Sequence, residues 1–450
     1  MQVHDDSSSS LSRIVIVGGG FAGTTLARAL ESRLPPGWQV LLISEESYTT
    51  FNPMLAEVVG ASVFPEHVVA PIRQMLRPGE ASRFVMGRVT GIDAGRRCVQ
   101  AQTLAGPLEL AYEHLVLAFG TRAHLGLVPG LEEHALPLKL VGDAMFIRNR
   151  VLQRIARIEL ERDPAEAPAL GHFVVIGGGF SGVEVAGALA DFLRSAARYY
   201  PQVRPEELQV SVIEGGGRLL PELPDSLGHA AVRSMRGRGI AVRLDALVAE
   251  VDAMGVRLAS GERLDAATVI CTIGTRPNPL LDALPLPRLR GRIQTEPDMS
   301  VCGWPQLWAL GDCALVHNQA TRQYAPPTAQ FAVAQARALA RNLLARLEGR
   351  PTQAFGHVSR GMMATTGHLK GVASVFGLRL QGLPAWLLWR AYYLSRMPTA
   401  GRKFRIWIEW TWSMLFAADI THLRFTRTGE ADAERPAAAA EALSRIQSQP

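Results

Sequence analysis

A three-layer α/β fold, used twice in one chain and followed by an amphipathic C-terminal segment, is what this sequence predicts, on three observations. Gly-x-Gly-x-x-Gly occurs at 18–23 and again at 177–182, each time between a short β-branched run and a helical stretch. A third apolar run ends in Gly311-Asp312, and five of the eight tryptophans fall among arginines between residues 371 and 420.

The elements come in order. Residues 14–17 are apolar, β-branched and followed at once by glycines, as when a buried parallel strand enters a tight turn. Residues 21–33 have helical character and stop before Pro35-Pro36-Gly37, and residues 40–43 close the first βαβ unit. The pattern returns as a strand at 172–176, a long helix from Phe180 to about Tyr200 and a strand at 210–213. Short strands ending in glycine are expected at 268–272 and 307–310. The expected division is a lead-in at 1–10, a first domain from 11–130 and 291–350, a second inserted at 131–290, a C-terminal region at 351–428 and a tail at 429–450.

Composition narrows the class. With 450 residues, 48% hydrophobic and 20% charged, the chain has enough apolar material for two cores, and disorder is not the default. The net charge of +6 rests almost wholly on arginine, Lys139, Lys370 and Lys403 being the only lysines. Cys98, Cys271, Cys302 and Cys313 form no CxxC pair, against a zinc site or a dithiol motif, and no metal is expected. The N-terminus lacks the apolar core of a signal peptide, and no run approaches 18 apolar residues, so no transmembrane helix is expected. No nucleic-acid motif accompanies the basic charge.

Each glycine motif has a physical reading. Gly18 permits the turn, Gly20 admits a pyrophosphate to the backbone, and Gly23 allows helix and strand to pack, with Phe21 and Ala22 opening a helix whose N–H groups favour anions. The acid expected on a ribose is Glu45, with Ser44 beside it and the register open by one residue toward Glu46. Gly177, Gly179, Phe180, Ser181 and Gly182 repeat the motif, followed by Glu184. Glu214 ends the next strand, where a carboxylate accepts a ribose 2′-hydroxyl and repels a 2′-phosphate, favouring NADH. Arg218 stands close enough to weigh against it. Asp312, just past a strand, suits a polyol. These are Rossmann-type nucleotide-binding features.

Residues 11 to about 420 resemble the type II NADH dehydrogenases, single-subunit NADH:quinone oxidoreductases that do not pump protons, within the pyridine nucleotide-disulfide oxidoreductase superfamily. The resemblance is carried by residues 51–55 (FNPML), 134–139 (HALPLK), 326–330 (PPTAQ) and 307–312 (LWALGD), and by Gly120-Thr121 and Gly274-Thr275, which look like the crossings between domains. It implies FAD in the first domain, NADH in the second, and a hydride passed from NADH to FAD before electrons reach a quinone of the respiratory chain. It also implies that Pro53, Gly120, Asp312, Ala329 and Gln330 line the flavin and that Glu184 lies near the nicotinamide; Val89, Thr121, Gly311 and Gly274 belong to the expected cofactor-binding set. Glu184 and Gln330 are the expected catalytic residues, and Gln330, Ala334 and Gln335 the expected quinone side. There the sequence departs from the usual Ala-Gln-x-Ala-x-Gln, with Ala334 at the second glutamine's place and Gln335 one residue later.

The segment at 371–420 has its own pattern. Trp386, Trp389 and Tyr393, and later Phe404, Trp407, Ile408, Met414 and Leu415, interleave with arginines, a pattern that fits a bilayer interface, a dimer contact or a packed core. The resemblance favours a membrane surface and a peripheral enzyme on the cytoplasmic face of the cell membrane; a homodimer stays open. Other functions have less support. A disulfide reductase needs a cysteine pair near the flavin, and a sulfide:quinone oxidoreductase has no use for a second nucleotide motif. A reductase with a protein acceptor, or a redox-sensing binding protein, would keep the fold.

Overall fold

The computed structural model describes residues 11–160 and 167–423; the expected lead-in at 1–10 and the tail at 429–450 lie outside them.

The first sheet has eight strands. Its centre is Ser12–Val17, parallel to Trp38–Ser44 on one side and to His114–Leu117 on the other. Ser82–Asp93 continues in parallel beyond Trp38–Ser44, and Trp304–Ala309 beyond His114–Leu117. Ile14, Ile16, Leu41, Leu42 and Ile43 have no exposed surface, which is why these strands, buried on both faces, read as unbroken apolar runs. One edge continues as an antiparallel meander through Cys98–Thr103 and Gly106–Ala111, which the sequence pattern did not announce.

The second sheet has five parallel strands, ordered Ala135–Pro137, Thr268–Cys271, His172–Ile176, Gln209–Ile213 and Ala241–Arg243. All come from the chain between His114–Leu117 and Ser300–Val301 of the first sheet. The two passages between the sheets, Thr121–Ala123 and Thr275–Pro277, pair antiparallel with each other, just after Gly120 and Gly274, which take φ of +63° and +76°. The internal repeat extends to hydrogen bonding: Gly18 N–H donates to Ile43 O and Gly177 N–H to Ile213 O, each at 2.8 Å.

Several expected elements change length. The first helix is Phe21–Leu30, and the second is Phe180–Ala196 with a 3-10 turn at Ala197–Tyr199. The larger difference lies beyond residue 350. Gly361–Gly367, Lys370–Val375 and Leu378–Gln381 form a three-stranded antiparallel sheet packed on the helix Phe180–Ala196 and on Leu383–Arg396. The start of the region expected to be amphipathic is therefore part of the globular body. Leu383–Arg396 and Ala400–Leu415 are helices, but Trp386, Trp389 and Trp410 are buried, with Arg390 between the rings of Trp386 and Trp410 at 3.8 and 4.8 Å. Those three indoles are core. Phe404, Trp407, Ile408, Trp412, Met414 and Leu415 are exposed on Ala400–Leu415, and Leu383 and Leu387 on Leu383–Arg396. Periodicity located the stripe, and only the packing shows which side of it is covered.

Candidate functional site

At the C-terminal ends of the first sheet's strands the chain opens a cleft of about 2430 Å³, running past Gly18, Gly20, Gly120, Gly311, Pro53 and Gln330. The first glycine motif forms one end of it. A Cβ on Gly18, at φ +116°, would lie 2.5 Å from Ala118 O, and one on Gly23 would lie 1.9 Å from Gly18 O. Nothing stands within 4 Å of the Cβ position of Gly20. The outer two glycines are thus required by packing and the middle one by whatever passes in front of it.

The second motif repeats this division. A Cβ on Gly182 would lie 1.8 Å from Gly177 O, Gly177 has φ +112°, and Gly179 faces open space. Each motif ends at a helix N-terminus without a side-chain cap, so unpaired N–H groups remain for an anion. Phe180, Ser181 and Glu184, from the second unit, also line the cleft of the first.

Acids close both second strands. Partial burial pushes Glu45 upward, but the guanidinium groups of Arg88 and Arg122 outweigh it and hold the carboxyl below its usual range. Arg122 sits 3.0 Å from Glu45 Oε2, and both arginines line the cleft. Ser44 lines it too, while Glu46 is exposed at its margin. Glu214 accepts from Gly178 N–H and Gly216 N–H, each at 2.7 Å, which fixes it beside the glycine turn. Arg218 is engaged elsewhere, ion-paired with Asp225 and donating to Pro221 O at 2.5 Å. The competing cation therefore has its own partners.

Thr121, Val89, Asp312, Ala329 and Ala334 also line the cleft. Gln335 does not lie where the sequence led one to expect. It is buried, and its Oε1 accepts from Gly311 N–H at 2.7 Å, so it braces the turn that carries Asp312 and does not line the cleft. A helix advances by about 100° per residue, enough to turn Gln335 away from the face that Ala334 presents. Gly23, Gly177, Gly179, Gly182, Glu214 and Gly274 lie outside the cleft wall.

Glu184 is the most perturbed acid of the site. Burial pushes its carboxyl up to about 8, against the lowering effect of Thr365 N–H and the Trp389 indole, which donate to Oε1 at 3.2 and 2.8 Å. A carboxyl group in that state keeps its proton at neutral pH and can donate it in a hydrogen bond. Tyr393 packs against Trp389 at 4.7 Å and Phe51 at 5.9 Å, and with Tyr392 it lines the cleft. Neither tyrosine was singled out for the site, nor were His357, Ser359 and Arg360; their only sequence signal was the aromatic stripe that carries the tyrosines.

Residues 12–336 match the model of the pyridine nucleotide-disulphide oxidoreductase family. The type II NADH:quinone oxidoreductase Ndh of Mycobacterium tuberculosis is 27% identical over 419 residues, covering 90% of this chain and 88% of that protein. The demethylphylloquinone reductase NdbB of Synechocystis is 30% identical over 408 residues, covering 88% and 95%. Among solved structures, NDH2 from Plasmodium falciparum in complex with NADH superposes with a TM-score of 0.84 at 19% identity, over 91% of this chain and 99% of that one.

Proposed function

The chain belongs to the pyridine nucleotide-disulphide oxidoreductase family, and from that premise we propose that it is an FAD-dependent enzyme that oxidises NADH and reduces a membrane quinone without pumping protons. The observation that carries this is the shared wall: Phe180, Ser181 and Glu184, at the start of the second glycine-motif helix, line the cleft that begins at the first. Two dinucleotides laid on the two motifs would meet there. The names of the relatives from Mycobacterium tuberculosis and Synechocystis supply the acceptor class.

The residues fit FAD. The open space before Gly20, the uncapped N-terminus of Phe21–Leu30 and the length of the cleft suit a pyrophosphate flanked by two extended groups. Glu45 would take the adenosine ribose, Asp312 the polyol chain, and Pro53, Val89, Gly120, Thr121, Ala329 and Gln330 the ring system. FAD held there supplies the two-electron chemistry that links the substrates, and the protein contributes binding and orientation. Gly179 and the N–H groups of Phe180–Ala196 would hold the NADH pyrophosphate, and Glu214 its adenosine ribose. The protonated Glu184 would donate to the nicotinamide amide and keep its ring facing the cleft. Gln330 and Ala334 would border the quinone.

A surface attachment completes the proposal. No helix among the described residues is long and apolar enough to cross a membrane. Phe404, Trp407, Trp412 and Leu415 are 61%, 53%, 59% and 74% exposed on Ala400–Leu415, beside Arg402, Lys403 and Arg405. Aromatic and basic residues on one helix suit a bilayer interface, on the cytoplasmic face, where anionic lipid attracts cations and the quinone is dissolved. Flotation with anionic liposomes, coupled to NADH-dependent reduction of a lipid-soluble quinone, tests both parts. Rapid turnover with soluble quinones but no liposome binding would remove the attachment alone.

A further inference from the structure

We propose that His357 hands the quinone its second proton, an inference that rests on the quinone-reductase function above. The stoichiometry requires a second proton. A hydride from NADH carries two electrons and one proton, whereas a quinol has two O–H bonds, so one proton per turnover comes from the medium. Among the described residues His357 is the only histidine on the cleft wall, and imidazole exchanges protons near neutral pH. Glu184, the other wall group able to do so, belongs to the helix of the second glycine motif.

His357 is aimed by its surroundings. The buried side chain of Asn318 clamps its backbone from both sides, accepting from His357 N–H at 2.9 Å and donating to His357 O at 2.7 Å. The ring stands edge-on to Phe331 at 5.1 Å. Its Nε2 faces Gln330 Nε2 at 3.4 Å, and Ser359 Oγ donates to Gln330 Oε1 at 3.4 Å. With the amide N–H₂ turned toward Nε2, the neutral ring carries its proton on Nδ1. When Nε2 takes a second proton it needs an acceptor, which Gln330 provides by exchanging its amide O and N. In the transfer an imidazolium N–H breaks and an O–H forms on the quinone oxygen that has received the electron pair; the ring then takes a proton from the medium. Burial and the Arg360 guanidinium hold the imidazole below its ordinary value, which makes the cation a readier donor, and no carboxylate among the described residues counters them. Arg337, on the helix of Gln330, lines the same cleft.

The experiment uses the FAD-loaded full chain, with His357→Phe, His357→Gln and Arg360→Gln, each checked for flavin content and melting temperature. Flavin bleaching by NADH and its reoxidation by a short-chain quinone are followed from pH 5 to 8.5, and the histidines are titrated by ¹⁵N NMR. The expected result is bleaching within about twofold of wild type in the His357 variants, reoxidation slowed about tenfold or more, and loss of the decline in reoxidation toward high pH. Arg360→Gln moves that decline, and the NMR midpoint of His357, to higher pH. Should His357→Phe fail to fold, His357→Gln, which keeps a polar partner for Gln330, decides. Unchanged reoxidation with an unchanged pH profile, or a His357 ring that does not titrate in this range, overturns the proposal. A wild-type protein that NADH bleaches but no quinone reoxidises overturns the quinone function and the proton role with it.

Discussion

Trp389 and Glu184 are 205 residues apart in sequence, and the indole N–H of one donates to the buried carboxyl of the other at 2.8 Å. Trp410 repeats the arrangement, donating at 3.2 Å to Glu57 on the short helix Leu55–Val59. The C-terminal helices are thereby fastened to an acid beside each nucleotide unit. Replacing either indole by Phe removes one hydrogen bond, a net loss of about 0.5–1.5 kcal/mol, while Thr365 N–H still reaches Glu184 and Ser62 Oγ still reaches Glu57.

Glu184 gives the fold a pH dependence. Its folded value of about 8 stands above the ordinary 4.5. Below the lower value both states are protonated and nothing is gained or lost. Between the two the unfolded chain releases the proton while the fold holds it, so stability falls as pH rises and levels off above the upper value. The total is on the order of a few kcal/mol. Glu184→Gln, whose amide oxygen still accepts from Trp389, should melt with a shallower decline between pH 5 and 8. Parallel melting curves would remove Glu184 as the source.

The two glycine motifs are expected to fail separately. Gly182→Ala places a Cβ 1.8 Å from Gly177 O, and Gly23→Ala places one 1.9 Å from Gly18 O. The first should weaken NADH binding by about tenfold or more, roughly 1.4 kcal/mol, with flavin content unchanged. The second should lower flavin content in purified protein. Absorbance spectra and NADH titrations read both. Equal flavin loss in the two variants would contradict the division of labour.

Much of this was legible in the sequence because it is local. Strand, glycine turn and helix at 18–23 and 177–182 lie within about 30 residues each, and their chemistry requires those residue types in that order. Cleft residues brought in from far along the chain were not legible. His357 is placed by Asn318 across 39 positions, and Tyr393 enters through a helix whose sequence fits a membrane face as well as a core. Gln335 was misread because one residue of helix rotation separates the cleft from the buried side. The strand Gly361–Gly367 carries neither the tryptophans nor the glycine motif that mark its neighbours, and its partner strands become evident only once they pair.

We propose that Glu214 sets the choice of dinucleotide, since Arg218 is held by Asp225 and Pro221. Glu214→Ala should raise the efficiency with NADPH relative to NADH by about tenfold, because a carboxylate that accepts from the 2′-hydroxyl also repels a 2′-phosphate. Steady-state kinetics with both dinucleotides check this. An unchanged ratio would place selection elsewhere.

Trp407→Ser with Trp412→Ser removes two indoles that are 53% and 59% exposed. Binding to anionic vesicles should fall and the residual binding should become more sensitive to salt, as apolar burial is lost and attraction to cations remains. Bleaching by NADH in solution should not change. Vesicle binding equal to wild type would move the attachment away from this helix.

Stopped-flow spectroscopy of the full chain, mixed first with NADH and then with a short-chain quinone, is the decisive measurement of the proposed NADH:quinone oxidoreduction. Rapid flavin bleaching by NADH, much slower bleaching by NADPH, and full recovery of the absorbance on adding quinone are expected. Bleaching that only a protein acceptor or oxygen reverses would contradict it.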